Sequence, residues 1–155
     1  MMTSHYSVPT TISPEAQEAL KEFSLDGDTI PAPDDFDGWK KLWQEKEESN
    51  KEDNTKVVDH YKPVIEERKL GGVPVLDIKP KNWQDNGKVL VYTHGGGYVL
   101  FSAASTLISS VPVADATRLR VVSIDYTVAP FAKWAEVTDQ VIQVIKALIT
   151  EDYSL

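Results

Sequence analysis

The sequence has 155 residues, 41% of them hydrophobic, which is enough for the core of one globular domain but not for a second complete one. Its 24 acidic and 16 basic residues give a net charge of -8, and the absence of any Lys/Arg cluster with interleaved aromatics argues against nucleic acid as a partner. With no cysteine and three scattered histidines, a disulfide framework, a thiol nucleophile and a thiolate metal site are excluded. No signal-like start and no apolar stretch near the roughly 20 residues of a membrane span occur, so we expect a cytoplasmic protein without a membrane span.

Two helices are predicted near the N-terminus. Ser13 supplies an N-cap and Pro14 a first helical position, so a short helix is expected to end near Phe23. A second helix begins near residues 34–35, and we interpret its large apolar side chains as packing residues. They recur at helical spacing: Phe36, Trp39, Leu42 and, beside them, Trp43. The charged run at 45–53 is interpreted as solvated.

The next segments predict strands. Residues 64–70 and 73–78 flank the glycine pair at 71–72, which indicates a β-hairpin. The continuous apolar run at 89–92 is typical of a central strand that is buried on both faces.

A strand–helix–strand unit follows from this run. Residues 105–119 are mainly helical in pattern, although Pro112 should start, break or kink the helix, and 121–124 form a second buried strand. Such a crossover places the two strands parallel in one sheet. An amphipathic helix at 137–149 should lie on that sheet, with its stripe formed by Val137, Val141, Val144, Ile145, Leu148 and Ile149.

The candidate functional motif directly follows the first central strand, where residues 94–98 read His-Gly-Gly-Gly-Tyr. Open α/β sheets bind ligands at this carboxyl end of their strands. Consecutive glycines cost conformational entropy, and a turn whose backbone N–H groups face a developing negative charge would require them. A phosphate-binding loop does not match this spacing, and a plain glycine turn is the remaining alternative.

This segment resembles the HGGG motif of the hormone-sensitive-lipase family of esterases and lipases, an α/β-hydrolase group. Residues 125–130, Asp-Tyr-Thr-Val-Ala-Pro, are similar to the D-Y-x-L-A-P segment of that family, with Val128 in place of Leu. The N-terminal helices resemble the family's cap. After Pro130, however, Phe-Ala-Lys-Trp at 131–134 replaces the frequent Glu-His-Pro-Phe.

The resemblance implies a role for each residue of the motif. The N–H groups of Gly96 and Gly97 would hold the oxyanion, Gly95 would let the turn form, and His94 would orient the loop. Tyr98 would line the substrate pocket. Two further residues would brace the floor of the site by hydrogen bonds: Asp125 and Tyr126. No metal or organic cofactor is implied.

The residues of a catalytic triad are not found in the sequence. No G-x-S-x-G elbow occurs, since none of the serines near the motif has the flanking glycines, and no histidine follows His94. The fold class expected is therefore α/β: a β-hairpin and a βαβα unit with central parallel strands, preceded by helical cap segments. Residues 1–55 would form the cap region and 56–155 an incomplete N-terminal half of an α/β-hydrolase core.

The predicted function is the N-terminal portion of a serine carboxylesterase or lipase, which would bind a small-molecule ester in the intact protein and be inactive alone. Alternatives are a non-catalytic ligand-binding or regulatory module and a decayed hydrolase remnant. Because the first central strand should keep one open edge, we expect either a C-terminal hydrolase half or a second copy to pair with it. With the triad missing, the sequence does not decide whether this chain is itself an enzyme.

Overall fold

The computed structural model describes residues 8–22 and 30–151 of the chain, which divides into two units, Met1–Ile30 and Pro31–Leu155. In the first unit lies α1 (Pro14–Glu22). The Ser13 hydroxyl caps this helix by accepting a hydrogen bond from the Ala16 N–H at 3.2 Å. The first predicted helix is therefore confirmed, while its expected end near Phe23 lies outside the described residues.

The second unit opens with two helices in close succession, α2 (Phe36–Ser49) and α3 (Lys51–Tyr61). The Asp35 carboxylate caps α2 by accepting the Gly38 N–H at 2.9 Å, so the predicted start of this helix is confirmed. Residues 45–53, interpreted as a solvated run, are exposed or half-buried, and they complete α2 and begin α3. The predicted boundary after residue 55 falls inside α3, whereas the structure divides after Ile30.

A four-stranded sheet with two further helices completes this unit. The hairpin and the strand–helix–strand unit are confirmed: β1 is antiparallel to β2, β2 to β4, and β3 is parallel to β4. The strand order is β1-β2-β4-β3. The elements in chain order are β1 (Val64–Leu70), β2 (Val73–Lys79), β3 (Val89–Thr93), α4 (Leu107–Thr117), β4 (Arg120–Ile124) and α5 (Trp134–Thr150).

Alternation along the strands gives the sheet two apolar faces. On one face, side chains such as Val75, Val122 and Ile124 pack with the stripe of α5 formed by Val137, Val144 and Leu148. On the other face, Ile78 and Val121 pack with α3 and α4. The predicted amphipathic helix is thus confirmed, and helices cover both faces of the sheet as in other α/β folds.

Two elements differ from the sequence-based expectation. β4 is fully buried, but β3 is only half-buried, because it lies at the end of the sheet with β4 as its one neighbour in the described part of the chain. Pro112 does not break α4, which continues through it to Thr117. Packing of Val111 and Ala114 against the sheet supports the helix where Pro112 cannot donate a backbone hydrogen bond.

No helix within residues 8–22 and 30–151 is long and apolar enough to cross a membrane.

A buried ion-pair network connects three strands to the end of α5. Asp77 of β2 is fully buried and accepts two hydrogen bonds from Arg120 of β4, at 2.8 and 2.6 Å, and one from Arg68 of β1 at 2.7 Å. Glu151, just after α5, accepts from Arg68 at 2.6 Å and lies 3.6 Å from Arg120. Two carboxylates thus balance two guanidinium groups, which is the condition for keeping such charges inside a protein.

The network should make stability sensitive to acid. Burial alone would raise the pKa of Asp77, but the hydrogen bonds from Arg120 and Arg68 outweigh it and hold the pKa below its usual value. A carboxyl whose folded pKa is lowered stabilises the fold above its unfolded pKa of about 3.9, and this contribution is lost as the pH falls through the folded pKa.

Removing the charge at Asp77 should be strongly destabilising. We expect Asp77→Asn to lower the apparent free energy of unfolding by about 3 kcal/mol or more, because it leaves the buried Arg120 without its main counter-charge. The apparent midpoint of urea unfolding measures the effect. Asp115→Asn, which breaks an exposed pair with Arg118, should change stability by less than about 1 kcal/mol. Equal midpoints for the two variants at neutral pH would contradict the role given to the network.

Candidate active site

The glycine segment forms a tight turn immediately after β3. The Gly96 carbonyl accepts the N–H groups of Val99 and Leu100, each at 3.1 Å, which closes the turn. The segment 94–101, called the glycine loop below, therefore leaves the carboxyl end of β3 next to the end of its parallel neighbour β4.

The orientation of two peptide groups follows from their hydrogen bonds. Nδ1 of His94 lies 2.8 Å from the Gly95 carbonyl, and the Gly96 carbonyl faces the turn. Because a trans peptide is planar, the N–H of Gly96 points away from the imidazole, and the N–H of Gly97 points away from the turn. Neither N–H donates a hydrogen bond within the part of the chain that the structure describes. Two adjacent donors are thus left available for an anion.

Steric limits explain why glycine is needed at the centre of the loop. Gly96 has a φ of +114°, and a Cβ there would lie 2.2 Å from the Leu100 carbonyl oxygen. Gly97 has a φ of +62° with open space around it. Gly95 has no positive φ, and a Cβ there would meet nothing within 4 Å. The conformational demand of the turn therefore falls on Gly96 and Gly97 and not on Gly95.

His94 and Tyr126 form the base of the loop. The two rings stack with centroids 4.1 Å apart, and the Tyr126 hydroxyl donates to the His94 carbonyl at 2.6 Å. Burial, followed by the neighbouring Tyr98 and Tyr92, raises the pKa of Tyr126, which keeps the hydroxyl protonated as a donor.

The imidazole of His94 is held in one orientation. Since a carbonyl can only accept, Nδ1 donates the proton that it shares with Gly95. Nε2 is buried and has no hydrogen-bond partner among the described residues. This environment suits a ring that orients the loop.

The loop borders a cleft of about 430 Å³. The loop and strand ends contribute one wall, formed by Thr93, His94, Gly95, Gly97, Tyr98 and Tyr126. Helix α5 contributes the facing wall, formed by Val137, Thr138, Val141 and Ile142. The cleft is therefore mostly apolar, with Gly97 among its lining residues, which suits an uncharged organic ligand.

The sequence-predicted site residues are brought together only in part. Tyr98 is two-thirds exposed beside the cleft, and its ring lies 6.2 Å from that of Tyr126. Asp125 does not line this cleft; its carboxylate accepts the Ala103 N–H at 2.9 Å and so fixes the segment after the loop. Within the described residues, no group of acidic or histidine side chains could hold a metal ion.

Sequence reasoning missed a set of contacts from the N-terminal helices. Four residues of α2, α3 and the residue between them face the segment after the loop, and we call them the polar stripe: Trp43, Glu47, Asn50 and Asn54. Their spacing of four, three and four residues puts them on one helical face. That spacing could have indicated a shared helical face. Most of these residues, however, are polar and lie in a charged run, so no apolar pattern marked them.

Comparison with known proteins shows what this arrangement is similar to. Residues 90–154 match the family model described as alpha/beta hydrolase fold. The chain is similar to the probable carboxylesterase 8 of Arabidopsis thaliana, with 41% identity over 56 residues, which cover 34% of this chain and 17% of the relative. The chain thus covers only a small part of this curated relative.

Solved structures extend the similarity to the whole fold. The crystal structure of an esterase named E25 matches with a TM-score of 0.70 and 20% identity, covering 97% of this chain and 48% of the esterase. An esterase from the bacterial hormone-sensitive lipase family matches with a TM-score of 0.56 and 27% identity, covering 59% of this chain and 31% of that structure. The chain has an α/β-hydrolase fold, is similar to esterases of the hormone-sensitive-lipase type, and spans 48% or less of these esterase structures.

Proposed function

We propose that this chain contributes the oxyanion hole of a serine carboxylesterase or lipase and that the nucleophile, acid and base come from residues outside it. The observation that carries the proposal is the pair of adjacent N–H groups of Gly96 and Gly97, which donate to no described residue, in a loop whose Gly97 lines an apolar cleft. Among the described residues, no serine hydroxyl is hydrogen-bonded to a histidine, which agrees with the absence of a G-x-S-x-G elbow.

The chemistry assigned to the loop is stabilisation of charge. When a serine oxygen attacks the ester carbonyl carbon, the carbonyl π electrons move to its oxygen, and the glycine N–H groups would bind that negative charge. Collapse of the tetrahedral intermediate re-forms the carbonyl and expels the alcohol, which takes a proton from the catalytic histidine. Water then releases the acid by the same two steps. Tyr98 and the α5 side chains would contact the acyl or alcohol group of the ester.

We further propose that the missing strand pairs with β3. Its unpaired edge within the described residues lies beside the cleft, and two isoleucines of α5, Ile142 and Ile149, are more than 40% exposed. An open strand edge next to exposed apolar side chains favours association. The occupant proposed is a C-terminal hydrolase half, and self-association is the alternative outcome in its absence.

Esterase activity should require complementation. We expect the purified chain to show no turnover of p-nitrophenyl butyrate, because an oxyanion hole without a nucleophile forms no acyl-enzyme. Co-expression with the C-terminal segment of a related esterase, beginning at the strand before its nucleophile, should restore turnover. The same segment with its serine replaced by alanine is the control. Rapid turnover and serine-probe labelling by the chain alone would refute this proposal, and binding without turnover in the assembly would favour the non-catalytic alternative.

Alanine substitution at one glycine of the loop should test the loop geometry separately from the general cost of placing alanine at a positive φ. Gly96→Ala forces a Cβ against the Leu100 carbonyl oxygen and should lower kcat/KM of the assembled protein by about 10²-fold or more, since the donors are displaced. Gly87→Ala is the matched control, because Gly87 also has a positive φ, +69°, but lies in open space away from the loop. Full activity of Gly96→Ala would show that these N–H groups do not bind the oxyanion.

The state of association tests the proposed pairing surface. Sedimentation of the chain alone should reveal aggregates or oligomers, and addition of the complementary segment should convert them into a one-to-one complex. Ile142→Glu should weaken that complex, whereas Gln143→Glu, at the exposed neighbouring position of α5, should not. A monodisperse monomer with a sharp reversible melt would show that the chain is complete without a partner.

A further inference from the structure

The backbone of the glycine loop is strained at two residues that are not glycine. Tyr98 has a φ of +64° and Phe101 a φ of +71°. Left-handed backbone costs an ordinary residue about 1–2 kcal/mol, and it persists only where the surrounding structure enforces it. Something must therefore hold both positions.

A hydrogen bond fixes the carbonyl of each strained residue. The Ala129 N–H, in the segment after β4, donates to the Tyr98 carbonyl at 2.7 Å. The indole N–H of Trp43, on α2, donates to the Phe101 carbonyl at 3.2 Å. One side of the loop is thus held by the hydrolase core and the other by the N-terminal helices.

The polar stripe extends this second attachment along the chain. The Glu47 carboxylate accepts from the hydroxyls of Ser102 and Ser105, at 2.7 and 2.6 Å, and these serines are 8% and 4% exposed. Each serine hydroxyl also accepts the backbone N–H of the other, at 2.9 and 3.1 Å. A carboxylate that accepts two buried hydroxyls forms charge-assisted hydrogen bonds, which are stronger than neutral ones.

Two asparagines complete the attachment. The side-chain amides of Asn50 and Asn54 donate to the Ser105 carbonyl at 3.1 and 2.8 Å, and the Asn54 side-chain oxygen accepts the Ile108 N–H at 2.7 Å. The polar stripe therefore contacts Phe101, Ser102, Ser105 and Ile108, the last of which lies in the first turn of α4.

The attached segment is in direct contact with the oxyanion donors. The glycine at position 96 packs so closely on Leu100 and Phe101 that a Cβ would lie 2.9 Å from the Phe101 ring. A change in the backbone at Phe101 would therefore move the ring that packs on Gly96, whose peptide group with Gly97 carries one of the donors.

We propose that the polar stripe is a positioning element for the glycine loop, with Glu47 as its principal residue. By fixing the left-handed backbone at Phe101, it sets the direction of the Gly96 and Gly97 N–H groups. Helices α2 and α3 would thus fix the conformation of the glycine loop, in addition to any role as a cap over the site. The catalytic consequence rests on the proposed oxyanion function, whereas the control of loop structure does not.

Amide hydrogen exchange of the full chain tests the structural claim. Glu47→Ala should accelerate exchange at Val99, Leu100 and Ala129, whose N–H groups report the loop itself, by about tenfold or more. Glu47→Gln keeps one acceptor oxygen and should recover most of the protection. Glu45→Ala makes the same change at an exposed site on α2, paired with Lys41 only at 3.9 Å, and should leave these amides unchanged.

The outcome depends on which amides exchange faster in Glu47→Ala. If Glu47→Ala accelerates exchange at Ser102 and Ser105 but not at Val99 and Leu100, the stripe holds only its own contacts and the proposal is overturned. Unchanged exchange at all these amides overturns it as well.

Kinetics of the complemented enzyme then separate the two proposals. Glu47→Ala should lower kcat at least about tenfold with little change in KM, since donor alignment matters most in the transition state. Faster loop exchange with an unchanged kcat would support the positioning element while contradicting the oxyanion function of the loop.

Discussion

Three backbone carbonyls of the glycine loop are each fixed by a hydrogen-bond donor, two of them from the segment after β4 and one from α2. Tyr126 holds the carbonyl of His94, Ala129 that of Tyr98, and Trp43 that of Phe101. These attachments hold the loop on both sides of the two peptide groups that carry the Gly96 and Gly97 N–H groups. Electrostatic catalysis depends on donors that are aligned before the reaction, and under the proposed function these attachments would supply that alignment.

The sheet supplies a rigid base for this arrangement at its opposite end. Asp77, Arg68, Arg120 and Glu151 join β1, β2, β4 and the end of α5, so these three strands, including the β4 neighbour of the loop-bearing β3, are held together. Apolar packing on both faces adds the non-directional part of the stability. The charged network and the loop thus have complementary roles: the network fixes the positions of the strands, and the loop presents the donors.

Periodicity predicted the elements that bury apolar side chains and failed where polar contacts stabilise the structure. Alternating and continuous apolar runs identified the four strands, and the Val/Leu stripe identified α5. Helix α3 contributes only the partly buried Val57 and Tyr61 to the apolar core. Its buried residue is Asn54, which is held by hydrogen bonds to Ser105 and to the first turn of α4. For the same reason the role of Glu47 was not visible, because its partners Ser102 and Ser105 are 55 and 58 residues away in sequence.

For the glycine loop the sequence constraint is local. Two of the three glycines after the strand are explained by the positive φ at Gly96 and Gly97 and by the close approach of Leu100 to Gly96. The central claim is that these two N–H groups form an oxyanion hole. A crystal structure of the complemented protein with a phosphonate bonded to the nucleophilic serine tests it most directly. The account predicts a phosphonyl oxygen about 2.7–3.1 Å from both backbone nitrogens. A phosphonyl oxygen held by other donors, with both glycine N–H groups facing solvent, would contradict it.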